Sequence, residues 1–206
     1  MSYDHFAHTF SESRRDHPWP ELDSILLGML SKGYRSVLDI GSGNGRFLEE
    51  AEKKWYTFLS YLGLDSSIGM VEEARRLHPD FDFEVVDMTS VWSLEIEDTS
   101  FDAILFLASF HHLRTQEERM TVLQKVQRFL APGGRIYMTN WNLRDQGKYE
   151  RSHQWNGDYS IKIGAYSRYY HGFTLSELES LFIDTWYEIV EHRIFEGGRN
   201  ILSILS

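Results

Sequence analysis

From residue 36 onward, short apolar runs alternate with stretches whose apolar positions recur every three to four residues. That alternation predicts strands and helices in turn, hence an α/β fold on a mainly parallel sheet. Ser36–Ile40 predicts a first strand ending at glycines, and residues 44–54 a helix with Phe47, Leu48 and Ala51 on one face. Residues 59–64 predict a second strand that runs into Asp65, Ile68–Leu77 a helix, and residues 83–86 a third strand ending at Asp87. Residues 101–108 are almost wholly apolar, as a strand buried on both faces requires. Residues 115–130 predict an amphipathic helix striped by Met120, Leu123, Val126, Phe129 and Leu130, stopped by Ala131-Pro132-Gly133-Gly134. Residues 135–140 predict a fifth strand. Residues 141–172 are polar and aromatic without clear periodicity, so no element is predicted there. Thr174 and Glu177 have the spacing of a capping box and open a helix through Phe182. Residues 186–195 and 201–205 predict the last two strands, joined around Gly197-Gly198. A segment over 3–17 and a helix over 20–30 precede the core.

Composition narrows the class. A chain of 206 residues with 42% hydrophobic and 25% charged residues is one ordinary globular domain. No apolar run approaches the ~18–20 residues that span a bilayer, so no membrane association is expected. The first ten residues lack a basic region followed by an apolar one, so no secretory leader is expected. With no cysteine, the chain has no disulfide framework, thiol nucleophile or cysteine-ligated zinc, which fits a reducing cytoplasm. The net charge of −10 is uneven: residues 1–110 carry 9 basic and 20 acidic groups, whereas residues 111–168 carry 10 basic and 5 acidic. The first balance repels nucleic acid and the second attracts it.

The loop after the first strand reads Asp39-Ile40-Gly41-Ser42-Gly43-Asn44-Gly45. Three glycines there allow a sharp turn and close approach of backbone to a ligand. A dinucleotide-binding loop would place its third glycine at 46, where Arg46 stands, and a phosphate loop would need a following Lys-Ser or Lys-Thr pair. Asp65, at the end of the second strand, is placed to accept both ribose hydroxyls of an adenosine. Asp87, at the end of the third, is placed to meet the adenine amine. All three features fall beyond the carboxyl ends of strands, where open α/β sheets bind ligands.

DIGSGNG, LGLDSS, VVDM, FDAILFLASFHHL and LAPGGRIYM, in this order, resemble a class I S-adenosylmethionine-dependent methyltransferase. The resemblance implies a Rossmann-like three-layer αβα sandwich. Its seven-stranded sheet would have the order 3-2-1-4-5-7-6 with the last strand antiparallel. It implies S-adenosyl-L-methionine as cofactor, S-adenosyl-L-homocysteine as product, and no metal. Asp39, Gly41, Ser42, Gly43, Asn44 and Gly45 would surround the methionine moiety. Asp65 with Ser66 would hold the ribose, Asp87 with Met88 would frame the adenine, and Ala108 would complete the cofactor contacts. The chain would then divide into N-terminal cap helices (1–33), a cofactor-binding core (34–140), a substrate-side insertion (141–173) and a final helix with antiparallel strands (174–206).

For the methyl acceptor, three cationic-aromatic clusters stand out: Arg14-Arg15 with Pro18-Trp19-Pro20, Arg168-Tyr169-Tyr170-His171, and Arg199-Asn200. Arginine forks match carboxylates and phosphates, and aromatic faces stack on bases. His111-His112 follows the fourth strand as a pocket wall or a base; as neighbours they point apart, which disfavours a metal site. YDHFAHTFSESR with PWP, ASFHHLRTQEER, Trp141 and RYYHGFTLSELE resemble the tRNA wobble-uridine carboxymethyl methyltransferases, which include a domain fused to AlkB-like oxygenases. This resemblance implies that Arg14, His112, Trp141, Arg168, Tyr169, His171 and Arg199 line the acceptor pocket. It implies tRNA as substrate, and a small zinc-binding activator protein at the third-strand edge, where Phe81, Phe83 and Val85 alternate. A carboxylate acceptor is already ionised at neutral pH, so it needs a cationic clamp and no general base. Two alternatives stay open: a small-molecule methyltransferase with residues 141–172 as a lid, and a non-catalytic adenosyl-ligand-binding domain.

Overall fold

The computed structural model describes residues 19–91, 100–163 and 166–206. Helix α1 (Pro20–Lys32) starts on a proline, whose missing N–H costs nothing in the first turn, and ends at Gly33 with φ +70°. Strand β1 (Ser36–Ile40) follows, then α2 (Arg46–Lys53), β2 (Ser60–Asp65), α3 (Ile68–Leu77) and β3 (Asp82–Val85). Next come β4 (Phe101–Leu107), α4 (Gln116–Gln127) and β5 (Leu130–Trp141). A hairpin of β6 (Asp158–Ile163) and β7 (Tyr166–His171) precedes α5 (Leu175–Asp184), β8 (Ile189–Ile194) and β9 (Asn200–Leu205).

Seven strands form one sheet in the order β3-β2-β1-β4-β5-β9-β8. Counted among themselves, these are 3-2-1-4-5-7-6, as expected; the hairpin adds two strands ahead of the last pair and shifts their numbers. β9 runs antiparallel to both β5 and β8, and the pairs from β3 through to β5 are parallel. Alternate residues of the central strands feed two cores. Leu38, Ile40, Ile104 and Phe106 pack with Val122, Leu123 and Val126 of α4 and Leu178 and Phe182 of α5. Val37, Ala103, Leu105 and Leu107 pack with Leu22 and Ile25 of α1, Phe47 of α2 and Val71 of α3. Two apolar faces on one sheet, each covered by helices, make the three layers.

Two segments differ from expectation. β5 begins at Leu130, earlier than residue 135: Leu130 still pairs with Phe101, and the register shifts before Ala103 meets Arg135, which absorbs the Pro-Gly-Gly turn. Residues 141–172 are also not featureless. They hold a 3-10 turn (Gly147–Ser152) and the hairpin, a two-stranded sheet with its own small core of Leu143, Tyr159, Ile161 and Tyr170. Asp158, Ser160 and Lys162 do alternate with Tyr159 and Ile161, but β7 carries aromatic and polar groups on both faces, which hides its period.

Candidate functional site

A cleft of 390 Å³ opens at the carboxyl ends of β1, β2 and β4. At its first end lies the glycine loop. Gly41 has φ +77°, and a Cβ there would sit 2.3 Å from the Ser109 Cβ. The amides of Gly41 and Ser42 donate to the Leu64 carbonyl, at 2.7 and 3.0 Å, and Ser109 Oγ donates to the Ile40 carbonyl. These bonds tie the loop to the ends of β1 and β2. Gly43 has φ +57° and open space where a Cβ would stand. Asp65 fixes its amide: the carboxylate accepts from Gly43 N and from Ser67 N, both at 2.9 Å. Gly45 serves a different purpose. It opens α2 with φ +78°, and a Cβ there would strike His78 and Phe83, so this glycine answers to packing and stands outside the cleft wall.

Asp39 lies buried and also off the wall. Tyr61 Oη donates to its Oδ2 at 2.8 Å, and Oδ1 has no hydrogen-bond partner. Burial pushes this carboxyl up to about 7, with the Asp65 charge adding and the Tyr61 hydroxyl opposing. Ser42, Asn44, Ser66, Met88 and Ala108 reach the wall. So does Asp87, whose Oδ1 also accepts from the amide and hydroxyl of Thr89.

The second end is aromatic and cationic. Ala108, with φ +55°, turns the chain out of β4 into a 3-10 turn, Phe110–His112. There the two histidines hold opposite tautomers. His111 Nδ1 accepts from Trp141 N at 3.2 Å, so its proton is on Nε2, a buried atom with no partner. His112 Nδ1 donates to the Tyr169 carbonyl at 3.0 Å. Burial lowers both: His111 falls well below the ordinary imidazole range, with His112 and His171 adding to the effect, and His112 falls to about 4. Both are neutral at physiological pH. Tyr170 packs on His111, His112 and Trp141, with ring centroids 5.2, 4.6 and 5.0 Å away.

Arg168 and Arg199 line this end, together with Arg114 and Glu118. Burial lowers Arg168 to about 10, which leaves it a cation. Trp19 and Arg46 close the wall, with the Arg46 guanidinium 4.9 Å above the Trp19 ring. Arg46 is the residue that interrupts the dinucleotide glycine pattern.

Of the acceptor residues named from sequence, His112, Trp141, Arg168 and Arg199 line the cleft. Tyr169 and His171 do not. Successive strand residues point to opposite faces, so Arg168 and Tyr170 share the cleft face while Tyr169 and His171 turn toward Asp158. Arg14 lies outside the described residues. Sequence reasoning grouped Tyr170 and Trp19 with the cationic-aromatic clusters without assigning them to the pocket, and did not place Arg46 there; strand alternation from Arg168 would have found Tyr170. Among the described residues no cluster of three metal-type ligands occurs, and no helix is long and apolar enough to cross a membrane. At the sheet edge, Phe83 is buried, Phe81 packs against the same core, and Val85 is exposed.

Residues 37–134 match the profile of a methyltransferase domain. That segment, just under half of the chain, is its methyltransferase domain. The match runs from β1 into β5, so it takes in the glycine loop, both acid-bearing strands and the histidine turn. The chain is 33% identical over 150 residues to the tRNA (carboxymethyluridine(34)-5-O)-methyltransferase of Xenopus tropicalis, covering 73% of this chain and 22% of that protein. It therefore spans about a fifth of the length of that relative and of two mammalian relatives of the same name. The Schizosaccharomyces pombe protein of that name is 28% identical, with 92% of this chain and 88% of that protein covered. Among solved structures, an S-adenosylmethionine-dependent methyltransferase from Clostridium acetobutylicum superposes with a TM-score of 0.73 at 14% identity, over 99% of this chain and 98% of that one. A putative methyltransferase of Haloferax volcanii, solved with the Trm112 activator, gives 0.71 at 18%, over 98% and 96%. At such identities the structures establish the fold. The aromatic and cationic hairpin lies beyond the matched segment.

Proposed function

We propose that this methyltransferase carries the methyl group of S-adenosylmethionine to the carboxylate of a carboxymethylated wobble uridine in tRNA. One observation carries the reading. A single cleft joins a glycine loop with acid-ended strands to an aromatic wall lined by arginines, Arg168 and Arg199 among them, and two neutral histidines.

The residues fit the cofactor. Gly43 leaves space at the loop, Ser42 Oγ is buried without a partner, and Asp65 and Asp87 stand at the strand ends. Ser42 and the glycine-loop backbone would hold its methionine part, Asp65 with Ser66 its ribose, and Asp87 with Met88 its adenine. S-adenosylmethionine supplies a methyl group already activated on a sulfonium.

The protein's task is then to position the acceptor and exclude water. Arg168 and Arg199 clamp the acceptor carboxylate, with Arg14 as a third candidate cation. The acceptor brings no proton that must be lost, so we assign no general base. His112, neutral and fixed by the Tyr169 carbonyl, orients the substrate. Trp141 and Tyr170 give the flat wall against which a pyrimidine lies. In this reading residues 141–173 form the acceptor side of one domain, and Tyr169 and His171 support the hairpin from behind.

The net charge of −10 opposes binding of RNA by the chain alone. We therefore infer a protein activator that supplies affinity, with the free edge of β3 as the candidate surface. The same charge favours a second reading, a small-molecule acceptor. A cysteine-free chain acting on tRNA suits the cytoplasm.

Labelled S-adenosylmethionine incubated with tRNA and with an RNase-treated extract separates these readings. Label in tRNA that is lost in mild alkali is the expected result, because a methyl ester hydrolyses there. Label only in the extract would overturn the tRNA reading and leave the cofactor site standing.

A further inference from the structure

His171 closes β7 with its ring buried between two carboxylates. Its Nδ1 lies 2.7 Å from Asp158 Oδ1, and its Nε2 lies 2.7 Å from Glu177 Oε1. An ionised carboxylate offers only lone pairs. Both short contacts are hydrogen bonds only when both ring nitrogens carry protons, which is the imidazolium.

The surroundings support that charge. Tyr169 Oη donates to the same Asp158 oxygen at 2.8 Å. From α4, the Arg119 guanidinium lies 3.6 Å from Glu177 Oε1 and donates to the Leu113 carbonyl. The Phe173 ring meets His171 edge-on at 4.7 Å, and neutral His111 lies on the far side of the strand. Burial alone would raise Asp158 and Glu177; their bonds to His171, with the Arg119 charge nearby, outweigh it and hold both below the usual carboxylate range. Two cations thus face two carboxylates. Removing the ring proton would set a ring lone pair against a carboxylate lone pair at 2.7 Å and leave two half-buried carboxylates facing one cation.

The two bonds differ in reach. Asp158 pairs with His171 in register across the hairpin, so their bond is internal to it. Glu177 belongs to α5, so its bond fastens the hairpin to the helical layer. A two-stranded hairpin is marginal by itself and needs such an anchor. Its opposite face carries Arg168 and Tyr170 into the cleft.

We propose that His171 is a positioning residue: as an imidazolium bridging Asp158 and Glu177, it fixes the hairpin so that Arg168 and Tyr170 face the methyl acceptor. This rests on the acceptor site proposed above.

The test combines a readout that needs no substrate with one that does. In 15N-labelled wild-type protein, long-range proton–nitrogen spectra near neutral pH should show both His171 nitrogens protonated. A neutral ring would overturn the proposal, whatever the acceptor proves to be. His171→Gln and Glu177→Gln should unfold cooperatively and bind S-adenosylmethionine within about twofold of wild type, as distant sites do. Their KM for tRNA should rise about 10- to 100-fold, the usual consequence of losing a hydrogen bond between charged groups, with a smaller change in kcat. Unchanged KM in both variants would overturn the proposal. If His171→Gln fails to fold, Glu177→Gln and the wild-type spectra decide. If wild type transfers no methyl group to tRNA, the functional reading fails, and the spectra still decide the clamp.

Discussion

The Tyr170 ring lies 5.0 Å from the Trp141 ring with the two planes 13° apart, although β7 and β5 belong to different sheets. Trp141 ends β5 and pairs there with Asn200, and Tyr170 also covers both histidines of the 3-10 turn. One buried ring thus joins the hairpin, the main sheet and the histidine turn. Tyr170→Ala should cost about 3–5 kcal/mol, as loss of a buried aromatic ring does, and should abolish acceptor saturation. Tyr170→Phe keeps the ring and should stay within about 1 kcal/mol of wild type. Urea unfolding followed by tryptophan fluorescence reads both.

Strand alternation separates Tyr169 from its neighbour. Tyr169→Phe removes the hydroxyl that donates to Asp158 at 2.8 Å. The expected loss is about 1–3 kcal/mol of stability, because the bond ends on a charged group. Affinity for S-adenosylmethionine should not move. A large loss of cofactor affinity in calorimetric titration would contradict the placement of Tyr169 behind the cleft.

The loop glycines make a paired prediction. A methyl group on Gly41 would stand 2.3 Å from the Ser109 Cβ, and the backbone is left-handed there. Neither partner can yield without breaking the bond from Ser109 to Ile40, so Gly41→Ala should lower cofactor affinity by more than about tenfold and destabilise the fold. Gly43→Ala meets open space and should cost only the left-handed strain of about 1–2 kcal/mol. Its side chain would project where the ligand is expected, so its cofactor affinity should fall while the protein stays folded. Equal behaviour of the two variants in melting and binding assays would refute this division.

Most of the central sheet was legible because parallel strands buried on both faces are apolar runs, as in Ser36–Ile40 and Phe101–Leu107. The cofactor end was legible too: Gly41, Asp65 and Asp87 sit where strands end. The hairpin was not. Arg168, Tyr169, Tyr170 and His171 are four consecutive polar or aromatic residues, and only a known strand phase tells which pair faces the cleft. Sequence grouped all of them as one cationic-aromatic cluster and so passed over Tyr170. The partner of His171 was equally hidden, since Glu177 read as a capping residue. Its amide does bond Thr174 Oγ1, but its carboxylate serves the hairpin.

The opposite tautomers of His111 and His112 predict an absence. Burial lowers His112 to about 4 and holds His111 well below the ordinary imidazole range, so neither gains a proton between pH 5 and 9. Neither can produce a titration limb in that range. Histidine resonances assigned by substitution should stay neutral throughout it, with the proton on Nδ1 of His112 and on Nε2 of His111. A methyltransfer rate whose pH limb vanished in His112→Gln would show instead that His112 exchanges a proton during turnover.

Asp39 predicts how stability depends on pH. Its carboxyl is pushed up to about 7 in the folded chain from an ordinary 3.8, first by burial and further by the Asp65 charge. Between those values the folded state holds a proton that the unfolded chain has released, so stability must fall as pH rises. The contribution is full below about pH 4 and lost by about pH 7, on the order of 4 kcal/mol over the whole interval. The carboxylate has a physical reason to resist ionising: Tyr61 satisfies Oδ2, while Oδ1 is buried without a donor. Asp39→Asn cannot ionise and can still accept from the Tyr61 hydroxyl, so its stability should lose most of this slope and exceed wild type at pH 8. Urea midpoints at pH 5 and pH 8 test the pair. Parallel shifts in wild type and variant would place the slope elsewhere. A wild-type slope that also vanishes when saturating S-adenosylmethionine is added would show that the bound ligand supplies the compensation Oδ1 lacks.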